Sequence, residues 1–432
     1  MFKTYALLLL FLVSRSIQAE LMPWPENPRV WSYAGQPLLL AGASDDDNLF
    51  QWPEERLLPH LDRLKQAGGN LVRNTMSDRR DMGFEVYPYL EVAPGRYDLN
   101  RWNPEYWVRF DRFLKETHQR QIMVQIELWD RFDFADHGKI KHWQSHPYNP
   151  KNNLNYSGWE SRLAARYPDH PGKNKQPFFF TTPEQHRNQL LLDYQQRYID
   201  KVLSHTLKYD HILYCIDNET KAGEAWSRYW ALYIKSKAAN LNKRIYVTEM
   251  MDERTMNPVI HGRTIDHPEL YDFVEVSQNN HNDGKAHWWN LLRVRGYLDG
   301  LPRPMNSIKI YGANGSKYGN QQQALARFWR NVLAGTSALR FHRPESGIGL
   351  NDTAIGTMRA LRSLEGKVSL RGLVPRQVSG SEGEAYIASS GDSQLVYLPH
   401  GQAIIRLQIA TPAKVEWLNL ETAAWQSGQI KP

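Results

Sequence analysis

The stretch Glu54-Glu55-Arg56-Leu57-Leu58-Pro59-His60-Leu61-Asp62-Arg63-Leu64-Lys65-Gln66-Ala67-Gly68-Gly69-Asn70-Leu71-Val72-Arg73-Asn74 contains the unit from which the chain is built. Leu57, Leu58, Leu61 and Leu64 share one face of a helix, Gly68-Gly69 ends it, and a short apolar strand follows at once. A helix handed directly to an apolar strand belongs to a parallel sheet covered by helices. Working outward, strands are predicted at Leu38–Ala43, Asn70–Asn74, Ile122–Leu128, His211–Asp217, Arg244–Thr248, Phe273–Ser277, Asn306–Tyr311 and Ala338–His342. Between them, helical periodicity marks Glu54–Ala67, Glu105–Arg120, Pro183–Lys208, Gly223–Asn240, Lys285–Leu298 and Gln321–Ala334. Alternating strands and helices in this number predict an α/β fold, a (β/α)₈ TIM barrel.

After about Leu373 the pattern changes. Ala385–Ala388, Ser393–Tyr397, Ala403–Ile409, Lys414–Leu418 and Ala423–Gln426 are short alternating runs split by Gly, Ser, Pro and Asn, which predict a small all-β, sandwich-like module. At the other end, Lys3 precedes an unbroken apolar run, Ala6 to Val13, and Ser16-Ile17-Gln18-Ala19 closes on a small residue. Residues 1–19 therefore read as a signal peptide, with export to the periplasm or beyond. The run is too short to span a bilayer and has no nearby cysteine to carry a lipid, so no stable membrane anchor is expected. The expected organisation is a signal peptide at 1–19, a barrel at 20–372 and a C-terminal β domain at 373–432.

Composition narrows the function. Of 432 residues 41% are hydrophobic and 23% charged, an ordinary globular balance with ample material for a core. The single cysteine, Cys215, excludes an intramolecular disulfide framework and cysteine-rich metal centres. The formal charge of +7 suits an acidic polymer as partner. Its basic residues are dispersed, so nucleic acid is not an expected partner. No phosphate-binding loop, dinucleotide fingerprint or nucleophile elbow is present, since Ser379-Gly380-Ser381-Glu382-Gly383 has its glycines in the wrong frame.

Barrel chemistry sits where strands end. The fourth predicted strand ends Asp217-Asn218-Glu219, and the second carries Val72-Arg73-Asn74. Asn-Glu after strand four, with Arg at the end of strand two, resembles the clan of retaining (β/α)₈ glycoside hydrolases that includes the cellulase-like enzymes. The entry, Asn27-Pro28-Arg29 through Gly35-Gln36-Pro37-Leu38-Leu39-Leu40-Ala41-Gly42, is similar to the opening hairpin and first strand of members with a small C-terminal β domain. The resemblance implies that Glu219 is the general acid/base, that Asn218 binds a sugar hydroxyl, and that Arg73 sits deep in the cleft beside a carboxylate. A carboxyl in a partly desolvated, aromatic cleft can hold the proton such a role needs.

The same clan places a nucleophilic glutamate at the end of strand seven. Here Met305-Asn306-Ser307-Ile308-Lys309-Ile310-Tyr311 has no carboxylate, and neither Ile308 nor Lys309 can attack an anomeric carbon through oxygen. Glu249, after strand five, is the expected second group; about 5–5.5 Å from Glu219 would permit retention and about 6.5–9.5 Å inversion. Asp45, Asp46, Asp47, Glu127, Asp130, Asp252 and Glu345 are further rim carboxylates.

Sugars need aromatic faces ringed by amides and charges. Trp129, Gln278, Asn279, Asn280, His281, Tyr311, His342 and Arg343 lie at or just beyond the ends of predicted strands, Trp143 lies in the long loop, and Trp288 follows near the start of the next predicted helix. Arg73, His342 and Arg343 are candidate ligands for a uronate or sulfate. Roughly fifty residues, Trp129 to Thr182, separate strand three from its helix, and loops that long are usually functional. Its histidines, His137, His142, His146 and His170, lack metal-ligand spacing, so no metal or cofactor is expected. The expectation is a glycosidase on an oligo- or polysaccharide, possibly acidic. The alternatives are a catalytically silent carbohydrate-binding barrel and a uronate lyase with Tyr or Lys as base.

Overall fold

The computed structural model describes residues 20–77, 82–137, 141–314, 317–376, 382–407 and 413–429. Residues 1–19, read as a signal peptide, and 379–381 of the Gly/Ser stretch lie outside them. Among the described residues the centre is a parallel barrel of eight strands: β1 (Leu40–Ala43), β2 (Leu71–Thr75), β3 (Met123–Asp130), β4 (Ile212–Asn218), β5 (Tyr246–Thr248), β6 (Val274–Glu275), β7 (Met305–Ile310) and β8 (Ala338–Phe341). Each overlaps a predicted strand. The ladder runs from β5 through β4, β3, β2, β1, β8 and β7 to β6. Across the remaining seam Asp272 N donates to Val247 O at 2.8 Å and Thr248 Oγ1 to Phe273 O at 2.7 Å.

The outer helices are α1 (Glu54–Gln66), α2 (Pro104–Gln119), α3 (Gln189–Thr206), α4 (Glu224–Ala239), α5 (Pro258–Ile265), α6 (Gly284–Tyr297), α7 (Gln321–Ala334) and α8 (Asp352–Glu365). Two of these, α5 and α8, go beyond the six predicted stretches. Close approach of β1 to β2 depends on Gly42, because a Cβ there would meet Leu71 O at 1.8 Å.

The barrel is filled from the bottom. A three-stranded sheet, Leu21–Trp24, Asn27–Tyr33 and Gln36–Leu38, plugs the strand starts. Its Trp31 is fully buried against Tyr246 and Phe273 and donates from Nε1 to Asn306 Oδ1 at 2.9 Å. Leu40, Leu71, Met123, Leu213 and Ile308 complete this apolar layer. Above it, Asn306 Nδ2 donates to Gln125 Oε1 at 2.9 Å and Gln125 Nε2 to Glu275 Oε2 at 3.0 Å, a polar belt across the lumen. Burial pushes the Glu275 carboxyl up to about 7. Ser277 Oγ donates to Glu275 and accepts from Ile308 N at 2.8 Å and Lys309 N at 3.1 Å, which fixes the end of β7.

The described residues of the long connection after β3 pack around an aromatic core of their own. Phe134 stacks on Trp143 and Phe178, and His146 on Tyr148. Beyond α8, antiparallel strands Val374–Arg376, Tyr386–Ser390 and Ser393–Tyr397 form one small sheet, and Glu416–Leu418 with Trp425–Ser427 another. They rest on α6, α7 and α8 through Trp288–Tyr386, Trp329–Tyr397 and the bond from Trp425 Nε1 to Ser363 Oγ at 2.9 Å. No helix among the described residues is long and apolar enough to cross a membrane.

Candidate active site

At the mouth of the barrel, β4 ends in Asn218 and Glu219, the latter in the left-handed region with φ of 55°. Such backbone is uncommon for a non-glycine residue and is held here by its surroundings. The Glu219 side chain keeps 18% of its surface exposed, whereas Lys309 keeps 3%. Lys309 Nζ is ion-paired with Glu219 Oε1 and donates to Asn218 Oδ1 at 3.0 Å. Tyr311 Oη donates to Glu219 Oε1 at 3.3 Å. Burial alone would raise the Glu219 carboxyl, but Lys309, with Arg73 and His281 behind it, brings it down to about 2.

Lys309 reaches this point through an irregularity. Asn306 and Ile308 face the lumen, so strict alternation would turn Lys309 outward. The β7–β8 register shifts between Ser307 and Ile310, and Lys309 then points at Glu219.

Below the pair lies a charge cluster, buried except for Arg343. Arg73 Nε donates to Glu127 Oε1 at 2.7 Å, and its other face meets Asp47 Oδ1 at 2.6 Å. Asp47 is also contacted by Arg340 at 3.1 Å, Arg343 at 3.5 Å and His342 at 3.6 Å. Burial opposes ionisation of Asp47, yet the guanidinium groups around it, Arg73 first, hold it well below the usual carboxylate range, while burial holds His342 itself well below the ordinary imidazole value. Glu127 moves the other way, because its burial outweighs Arg73 and Lys309. The wall of the mouth is aromatic: Tyr311 lies 4.5 Å from His281, 5.0 Å from Tyr318 and 5.2 Å from His342 between ring centres. A separate cavity of about 710 Å³, lined by Asp45, Arg63, Gly312, Glu345 and Asp352 rather than by Glu219 or this aromatic wall, lies between the loops after β1, β7 and β8.

The structure thus brings together Glu219, Asn218, Arg73, Tyr311, His342 and Arg343 from the sequence-derived set, with Gln278 buried against Tyr311. It does not bring Glu249 to Glu219. Glu249 is 1% exposed, accepts from Met250 N at 3.1 Å, and is raised well above its ordinary range by burial and by Asp217 beside it. Trp129 is not a sugar platform. It is buried outside the barrel among Phe178, Tyr198, Trp226 and Trp230. Asn279 likewise belongs to the framework, because its amide bonds His287 O, Asn282 and Asn290. Trp143 is buried too, donating to Ala164 O. Arg73 has no exposed surface, so its role is to position Asp47 and Glu127 rather than to touch a ligand. Asp47 and Glu127 were legible only as rim carboxylates, and Tyr318 was missed. Among the described residues no group of three or more His, Cys, Asp or Glu is placed to hold a metal ion.

The Glu219–Lys309 pair has a signature in acid. Since the folded carboxyl lies below its ordinary 4.5, its stabilisation is complete above about pH 4.5 and is lost as pH falls toward 2. Lys309→Met leaves burial to act without the nearest cation, so the Glu219 carboxyl rises and this acid-side loss shrinks. Urea midpoints followed from about pH 6 to 2.5 should fall less steeply in the variant. Parallel curves would show that the pair carries none of the acid sensitivity.

No family model and no curated protein matches the chain. Solved structures do. A glycoside hydrolase family 5 protein from Bacteroides vulgatus ATCC 8482 superposes with a TM-score of 0.59 at 15% identity, over 94% of this chain and 86% of that one. A second protein from that organism, described as a putative glycoside hydrolase, gives 0.58 at 13% identity over 96% and 76%. The endo-1,4-beta-mannanase of Rhizomucor miehei gives 0.53 at 14% identity over 78% and 97%. At these identities the likeness is one of fold, and the chain has the (β/α)₈ fold of these glycoside hydrolases.

Proposed function

We propose that the chain is a glycosidase acting on an oligo- or polysaccharide, with Glu219 as the residue that moves the proton. The observation that carries this reading is the Asn218-Glu219 pair at the end of β4, its carboxylate open to the mouth of an aromatic-walled barrel. In the resting protein Glu219 is ionised, the state of a base. It can take a proton from a water as that water attacks the anomeric carbon. To protonate a departing glycosidic oxygen, Glu219 must first part from Lys309. Glu127, on which the Lys309 charge already acts, gives the ammonium a second carboxyl to face. Once parted, burial favours the protonated acid.

One observation supports a second reading. Lys309 stands near the place where the resembled clan carries its nucleophile, and it occupies Glu219 directly. A barrel so altered could hold a glycan without cutting it. β-Elimination is less well served, since Lys309 is ion-paired and Tyr311 donates its proton to Glu219. Export, from the apolar run at Ala6 to Val13, completes the proposal.

A screen against β-mannan, cellulose, xylan, polygalacturonate and a sulfated galactan decides among these. New reducing ends without ultraviolet absorbance are expected from at least one polymer. Absorbing, unsaturated ends would establish the lyase, and binding without any cleavage would establish the silent barrel.

A further inference from the structure

The cations that the sequence suggested for an anionic sugar are already engaged. Arg73 and Arg340 are fully buried on Asp47, and His342 lies against the same carboxylate. Arg343 is shared among Asp46, Asp47 and Glu345. On the side of the mouth formed after β1 and β8, therefore, each cation has its carboxylate.

The opposite side differs. Arg254 after β5 and Lys317 after β7 are exposed, and among the described residues neither has a carboxylate within ion-pair distance. Lys317 Nζ lies 5.0 Å over the Tyr318 ring, which stacks on Tyr311, whose hydroxyl bonds Glu219. That ammonium is thus one aromatic ring removed from the wall of the site. Lys221 after β4 has Asp252 at 3.5 Å, and the exposed rings of His137 and His170 meet at 4.9 Å above it. The fields of these cations overlap at the mouth. Burial and Arg254, with Lys309 and Lys317, hold His281 down to about 3; burial and His137, with Lys221 and Lys317, lower His170.

Resting on the glycosidase reading of this mouth, we propose that Lys317 and Arg254 bind an anionic substituent of the glycan, so that the substrate is a carboxylate- or sulfate-bearing polysaccharide. A neutral glycan would leave both cations without an anionic partner. An anion reaching both gains charge-assisted hydrogen bonds from them on the wall where Tyr318 lies against His281 and Tyr311, beside Asn282, whose amide bonds Arg254 O.

The test is binding, which does not depend on turnover. The full chain and its Lys317→Ala/Arg254→Ala variant are titrated with β-mannan, polygalacturonate and a sulfated galactan at low and high salt. Lys115→Ala/Lys285→Ala, which removes the same charge from exposed positions on α2 and α6, controls for the overall basic balance. At least one anionic polymer should bind about tenfold more tightly than β-mannan, with the carboxylate and sulfate arms identifying the group. The Lys317/Arg254 variant should lose that preference and the control should keep it, with melting temperatures unchanged. Equal binding of mannan and polyanions by the unaltered protein, or a preference that survives in the Lys317/Arg254 variant, would overturn the proposal. A preference lost as expected, with no polymer cleaved, would leave it standing and refute the glycosidase.

Discussion

Glu219→Gln lowers turnover of the cleaved glycan by a factor on the order of 10² or more and leaves its binding within a few-fold. The amide keeps the shape and the hydrogen bond to Tyr311 but neither accepts nor delivers a proton at this site. It also strips Lys309 of its charge partner, leaving the ammonium to Asn218 and the field of Glu127. Lost stability could therefore masquerade as lost catalysis. The double variant Glu219→Gln/Lys309→Met separates the two, because it removes the orphaned charge along with its partner. It should regain thermal stability over the single variant and regain no turnover. Turnover by Glu219→Gln within tenfold of the unaltered protein would take Glu219 out of the chemistry.

The barrel was legible because its signal is local. Each strand is a short apolar run and most helices carry leucines or aromatics on one face, so β1 to β8 fall where periodicity put them. Helix α8 carries Ile355, Met358, Leu361 and Leu364 at helical spacing, a signal of the same kind that could have located it. Helix α5 is harder, being eight residues with Pro258 at its start and Gly262 within. The site was legible only in part, because its decisive features depend on register. Gln125 and Glu127 face the lumen, yet Trp129, two residues on, packs outward against Trp226 and Trp230. Lys309 turns inward where alternation would send it out. The Lys309 exception goes with the shift of the β7–β8 register, and Trp129 turns outward onto α4 although the β3–β4 ladder is regular there; no local pattern encodes either. Charge pairing was legible only in outline: a carboxylate beside Arg73 was expected, but that it is Asp47 and Glu127 together follows only once three strand ends meet.

That cluster yields the largest expected effect on the fold. Arg73→Met should cost about 3–5 kcal/mol at neutral pH, the usual scale for removing one partner from a buried charge network. Asp47 would still have Arg340 and Arg343, so the uncompensated charge is that of Glu127, left with Lys309 acting on it. Its carboxyl, already raised by burial, moves up further when Arg73 is gone. A folded value above the unfolded one stabilises the protonated form: the variant is least impaired below the ordinary 4.5 and loses ground as pH rises through the folded value. Urea unfolding of Arg73→Met at about pH 5 and pH 8 should therefore show a smaller deficit in acid. Glu127→Gln added to Arg73→Met removes the stranded charge and should recover most of the deficit at pH 8, where the single variant suffers most. If it recovers nothing, the cost of losing Arg73 lies in lost packing between β2 and its neighbours, and the carboxylates beneath Glu219 are not held in place by charge.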